Sequence, residues 1–114
     1  MEDIVEQGLL YDFYGELLTD HQRQVYEAAV YDDLSLSEIA AEFGITRQGV
    51  HDLLKRCDRI LQDYEDHLHL LAHFRRTKAD AARIRTLTEA FRKDADASHL
   101  EEIDEIAQRI ADAL

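Results

Sequence analysis

Apolar residues recur along this chain with the spacing of helices, and polar or glycine residues interrupt them at intervals that mark where each helix stops. Positions 5, 9, 10, 13, 14, 17 and 18 follow the three-and-four step, which predicts an amphipathic helix over 3–18 with Leu10, Phe13, Tyr14 and Leu17 in its core stripe. Thr19 with Gln22 three residues on reads as a cap for a second helix over 20–31, whose inner face carries Val25, Tyr26, Ala29 and Val30 and which Asp32-Asp33 ends. Ser35-Leu36-Ser37-Glu38 is a capping box. Leu34 before it can staple onto Ile39, and the short helix it opens carries Leu36, Ile39, Ala40 and Phe43 inward before Gly44. Thr46 caps the next helix, along which Val50, Leu54, Cys57, Leu61, Tyr64, Leu68 and Leu71 alternate steps of four and three. That is three heptads, the pattern of a stripe packed on one partner helix. Extra apolar residues at 53 and 60 widen its first half, which should pack on the preceding helices and leave the narrower stripe beyond 61 for another partner. Ile84, Leu87 and Phe91 predict a helix around 77–95, and Ser98 with Glu101 caps a last one bearing Leu100, Ile103, Ala107, Ile110 and Leu114.

The expected fold is therefore all-α: a helix-turn-helix bundle without a wing over residues 1–66, followed by C-terminal tail helices over 67–114 that serve packing or dimerisation. The helix-turn-helix is residues 34–60. Gly44 occupies the tight turn, Ala40 is small where the two helices approach, and Ile39, Phe43, Ile45, Val50 and Leu53 supply the buried wedge. If this unit binds DNA, the helix from Thr46 is the reader. Arg47, Gln48 and His51 then project toward base edges, with Asp52 beside them, while Lys55, Arg56 and Arg59 take phosphates. Free backbone N–H groups at Ser35 and Thr46 could also meet phosphate.

Charge complicates this picture. Thirteen Lys and Arg against 25 Asp and Glu give a formal net charge of −12, so any contact with a phosphate polymer must be local. The acids crowd the ends: residues 1–34 hold nine acids and one base, 96–114 hold six and one, and the 35–60 segment nets zero. Between them Arg75, Arg76, Lys78, Arg83, Arg85, Arg92 and Lys93 make a basic stretch, read first as ion pairing with those acidic ends, within the chain or across a dimer. The bland reading of the 46–60 polar face is a solvated helix surface.

Other chemistry is sparse. Glu65, His69 and His73 fall one helical turn apart, a candidate metal face weighed against ordinary exposed histidines. Cys57 lies on the heptad seam as a buried thiol rather than a nucleophile, and as the only cysteine it permits no internal disulfide, which fits a reducing compartment. Gly8 and Gly15, seven apart, either allow a close helix contact or are merely tolerated. Met1-Glu2-Asp3-Ile4 has no basic n-region followed by an apolar one, and no run approaches a membrane span, so a cytoplasmic chain without a membrane partner is expected. No nucleophile–base pair or phosphate loop is present; no enzyme, cofactor or metal is expected.

The stretch 9–66 resembles the YlxM family of small bacterial helix-turn-helix proteins, whose genes neighbour those of the signal recognition particle GTPase. The resemblance runs through Phe13-Tyr14, Leu17-Leu18-Thr19, Gln22, Tyr31-Asp32-Asp33 and Ser35-Leu36-Ser37-Glu38-Ile39-Ala40. It continues in Phe43-Gly44-Ile45-Thr46-Arg47-Gln48, Asp52, Lys55-Arg56 and Asp63-Tyr64-Glu65. Residues from Leu18 to Leu61 are also similar to region 4 of sigma factors. The resemblance implies a DNA-binding or regulatory protein connected with the signal recognition particle pathway, dimeric, with its reading helix on Arg47, Gln48 and His51. His51 stands where the family pattern has Tyr, and Gly49 where it has Ala. An alternative is an adaptor that binds a signal recognition particle component through the same fold and has no physiological DNA target.

Overall fold

The computed structural model describes residues 4–114, which form six α-helices and no strand: α1 (Ile4–Tyr14), α2 (Asp20–Val30), α3 (Leu36–Phe43), α4 (Arg47–Leu68), α5 (Leu70–Asp94) and α6 (Ser98–Asp112). The expected start of the first helix at residue 3, and the reading of residues 1–3 as lacking a leader, lie outside the described residues. The chain divides into two compact units, one ending at Leu71 and one beginning at Ala72.

The punctuation residues act as their chemistry requires. Thr19 and Ser35 are both true capping boxes: each side-chain oxygen accepts the backbone N–H three residues on, while Gln22 and Glu38 reach back to the N–H of the cap. Gly44 ends α3 with φ +68°, the left-handed conformation that glycine adopts without a Cβ penalty. Thr46 caps α4 through Gly49 N at 2.9 Å.

Two linked clusters fill the first unit. Val25, Ala28, Ile39 and Val50 are buried where α2, α3 and α4 meet, with Leu34, Phe43 and Ile45 packed around them, so the staple of Leu34 onto Ile39 closes. Leu10, Tyr11, Tyr14, Leu18, Tyr26, Cys57, Leu61 and Leu71 form the second, between α1, α2 and α4. Leu53 and Leu54 touch both clusters.

Four phenol–carboxylate hydrogen bonds tie these helices together. Tyr11 donates to Glu27 at 2.6 Å, the Tyr31 hydroxyl to Asp12 at 2.6 Å, Tyr26 to Asp58 at 2.7 Å and Tyr14 to Glu65 at 2.6 Å. The Gln7 amide also donates to both oxygens of the Asp58 carboxylate, at 3.0 and 3.2 Å. Burial, reinforced by the neighbouring carboxylates, raises the pKa of Tyr11 and Tyr14, and pushes that of Tyr31 up to about 12.

The structure corrects several expectations. The first helix stops at Tyr14, and a 3-10 turn over Gly15–Leu17 carries the chain to Leu18, which is extended (ψ 158°) and buried. An α-helix running to 18 would not hand Thr19 over in the extended conformation its cap needs. The inner face therefore uses Tyr11 and Leu18, while Phe13 and Leu17 stay exposed at 36% and 54%. Gly15 is tight: a Cβ there would lie 2.6 Å from the Tyr11 ring, whereas Gly8 faces open space.

The heptad seam does not run through to Leu71 either. α4 ends at Leu68 because His69 takes a left-handed backbone (φ 58°), and α5 starts at once, at Leu70 rather than 77. The corner is built on Glu65 and Tyr14. Glu65 Oε1 accepts Leu71 N at 2.9 Å, and the Tyr14 hydroxyl accepts Leu70 N at 3.1 Å, so two orphan donors of the α5 N-terminus are satisfied by buried side chains. Beyond Leu61 the stripe meets α1: Tyr64 stacks on Tyr14 with ring centroids 6.0 Å apart and Leu71 is buried, while Leu68 is exposed.

In the second unit α5 and α6 are joined by a turn in which Ala95 is left-handed. Ser98 is not the cap expected there. Ala97 is, without a side-chain bond, and Asp96 Oδ1 instead accepts Ser98 N at 2.9 Å while Asp94 Oδ1 accepts Asp96 N. The Asp94 carboxyl pKa is lowered by His99, 2.9 Å away. Leu87, Ile106 and Asp80 are buried between the two helices, and Arg109 reaches Asp80 at 2.8 Å.

Candidate nucleic-acid interface

α3 and α4 meet through Ile39 and Val50, both fully buried, and the left-handed turn at Gly44 aims α4 away from α3 so that its opposite face is free. Val50, Cys57 and Leu61 fix which face that is. Arg47, Gln48, His51, Lys55, Arg56 and Arg59 are all exposed on the remaining arc, so the six candidate residues do share one surface. Leu36, Arg47, Gln48 and His51 line an open concavity of about 430 Å³ at the start of α4. Leu36 packs against the core cluster as its spacing predicts, but as the first residue of α3 it is only half-buried and also borders the start of α4.

The polar groups differ in how far they are committed. Arg47, Lys55, Arg56 and Arg59 make no ion pair among the described residues. Asp52, by contrast, accepts the Gln48 amide at 2.9 Å and stands 3.6 Å from His51 Nδ1. Lys55 and Arg59 also border a second groove of about 390 Å³ with Glu6, Asp58 and Asp63, which sets acids directly beside them.

The helix N-termini are not equivalent anion sites. At α3 the Glu38 carboxylate already takes the Ser35 N–H, which holds its pKa below the usual value, so the expected phosphate contact at Ser35 is pre-empted. α4 has no acid in its first turn and carries Arg47 there.

The remaining candidates resolve as structure. Glu65 is buried with its Oε1 engaged by Tyr14 and Leu71, and the backbone reversal at His69 breaks the helical register with His73, so the candidate metal face does not assemble. Among the described residues no group of three or more His, Cys, Asp or Glu is placed to hold a metal ion. Cys57 is fully buried, and burial together with the adjacent Asp58 pushes its thiol up to about 11, which makes it a poor nucleophile. No described helix is long and apolar enough to cross a membrane.

This geometry coincides with a family match: residues 1–107 fit the model described as "Putative helix-turn-helix protein, YlxM / p13 like". The chain belongs to the YlxM/p13-like family. Curated relatives agree with the assignment. A UPF0122 protein of Streptococcus thermophilus is 42% identical over 102 residues, covering 90% of this chain and 87% of its own. One from Thermoanaerobacter sp. is 39% identical over 110 residues, 96% of this chain and 94% of its own. One from Clostridium botulinum is 52% identical over 71 residues, 62% and 65% of the two chains. The YlxM/p13-like match extends through α5 and most of α6, well past residue 66 where the sequence resemblance stopped. The family is described by a helix-turn-helix and not by a catalytic activity.

Proposed function

We propose that this chain is a DNA-binding regulator of the signal recognition particle pathway, cytoplasmic and non-enzymatic, acting as a homodimer. In this reading residues 1–66 are the helix-turn-helix domain that reads duplex DNA with α4, and residues 67–114 are a helical extension for packing or dimerisation. The observation that carries the DNA contact is the uncommitted basic set on the solvent face of α4: Arg47 at the open, acid-free N-terminus, and Lys55, Arg56 and Arg59 along the same arc. In this reading Arg47 pairs with guanine, and the later cations with phosphates. The link to the signal recognition particle rests on the family resemblance of residues 9–66.

Asp52 favours a second reading, an adaptor that uses this face on a signal recognition particle component. A carboxylate holding Gln48 and facing His51 disfavours phosphate but suits a basic protein partner. Two substitutions separate the readings, measured by fluorescence anisotropy on selected duplexes and by a parallel pull-down from lysate. For the DNA reader, Arg47→Ala weakens specific binding by about 1–3 kcal/mol, and Asp52→Asn tightens it by removing a repulsive charge. Loss of a pulled-down particle component on Asp52→Asn, with no duplex bound by the parent protein at low salt, would replace the reader with the adaptor.

A further inference from the structure

Much of the basic stretch is not committed to the acidic ends among the described residues. Arg83 reaches an acid of α6, Glu102, at 2.6 Å. Arg92 stands 3.5 Å from Glu89 of its own helix, with both side chains more than half exposed, a pair worth little in water. Arg76, Lys78, Arg85 and Lys93 make no ion pair among the described residues.

Helix geometry orders what is left. Asp80 and Leu87 are buried and Arg83 is bound to Glu102, so these three define the side of α5 turned to α6. Lys78, Arg85 and Arg92 recur every seven residues on the other side, with Lys93 adjacent, and all four are exposed. Fourteen residues of helix put the ends of the row about 21 Å apart. Past Phe74, whose ring lies 5.9 Å from Lys78 Nζ, the row has only alanines, threonines and Glu89 between its cations. It lacks the large apolar anchors that dominate protein–protein contacts, so it fits a regularly charged polymer better than another protein.

We propose that the Lys78–Arg85–Arg92 row of α5, with Lys93, is a sequence-independent contact for the phosphate backbone of duplex DNA. The inference deepens the DNA reading of α4 and rests on it for the identity of the polymer. A duplex presents one charge per about 1.7 Å of axis, so a cationic row about 21 Å long spans several phosphates. On a chain of net charge −12, such a strip gives a polyanion a local approach that the whole molecule would otherwise oppose.

The test compares the full chain with a Lys78→Gln/Arg85→Gln/Arg92→Gln variant, which keeps side chains favourable to helix, and with Arg47→Ala. Affinity for a selected duplex and for a scrambled duplex is measured across a salt series, with helicity checked by circular dichroism. The triple variant is expected to weaken both duplexes by the same factor and to flatten the dependence of log affinity on log salt by about 2 to 3. Arg47→Ala is expected to weaken only the selected duplex. Unchanged affinity and slope in a folded triple variant, while Arg47→Ala still loses selectivity, would overturn the α5 contact and leave the reader standing. An effect of the triple variant with none from Arg47→Ala would leave the α5 contact and remove the reader. No duplex binding by the parent chain at low salt overturns both, and row-dependent binding confined to an RNA hairpin replaces duplex DNA as the occupant.

Discussion

Tyr14→Phe deletes one oxygen, and its cost should be large for so small a change. That hydroxyl is 99% buried with its ring, donates to Glu65 at 2.6 Å and accepts Leu70 N at 3.1 Å. It therefore joins the end of α1 to the corner between α4 and α5. A hydrogen bond to a charged group contributes about 1.5–3 kcal/mol, and the variant also strips an acceptor from the first turn of α5. The expected loss is about 2–3 kcal/mol, which in a unit of this size lowers the melting temperature by ~10 °C or more. Tyr31→Phe is the internal control. It removes an equally short bond to Asp12, but the residue is 52% exposed and water replaces the partner, so the expected loss is below about 1 kcal/mol. The assay is urea unfolding followed by near-ultraviolet circular dichroism. All five tyrosines lie before Leu71 and the chain has no tryptophan, so that signal reports the first unit. Equal losses in the two variants would refute the claim that the buried Tyr14–Glu65 bond fixes the corner.

Two further outcomes follow from the same unit. The phenol pKa values of Tyr11, Tyr14 and Tyr31 are raised on folding, so their contribution is complete below the ordinary tyrosine value of about 10 and is lost as pH climbs through the folded values, about 12 for Tyr31. Stability should thus be flat with respect to these groups at neutral pH and fall above pH ~10, with phenolate absorbance rising late; three phenols ionising at the free-tyrosine pH in the folded protein would contradict it. Gly15→Ala should destabilise by about 1–3 kcal/mol because its Cβ meets the buried Tyr11 ring, whereas Gly8→Ala, with open space and a helical backbone, should be neutral or stabilising. Equal melting temperatures for the two would dismiss the contact.

What could be read from the sequence is what depends on neighbours in the chain. Thr19, Ser35, Gly44 and Thr46 fix α2, α3 and the start of α4 by local hydrogen bonds and backbone preference, so their positions were legible without knowing what lies across the core. The exposed arc of α4 followed from Val50, Cys57 and Leu61. The misses at Glu65 and at the start of α5 share one cause, a partner more than fifty positions away in the chain. Glu65 looked like a solvent or metal-facing acid because Tyr14, 51 residues earlier, is invisible to periodicity. The same tyrosine and Glu65 hold the start of α5, which is why an unbroken heptad pattern across His69 gave no warning of the corner. Tyr14 and Tyr26 count as apolar core by spacing, yet both also work through their oxygens, as do Tyr11 and Tyr31.

Those four phenol–carboxylate bonds bear on how the protein behaves in salt. At the joints of α1, α2 and α4, Glu27, Asp12, Asp58 and Glu65 each accept a hydrogen bond from a neutral phenol. Mobile ions screen attraction between opposite charges, but they do little to a bond from an uncharged hydroxyl at 2.6 to 2.7 Å. Rising ionic strength meanwhile relieves the mutual repulsion of a chain with net charge −12. The first unit is therefore built to hold its shape in salt that would strip any phosphate polymer from its surface. If α4 reads DNA as proposed, ions would tune that binding and leave the architecture unchanged.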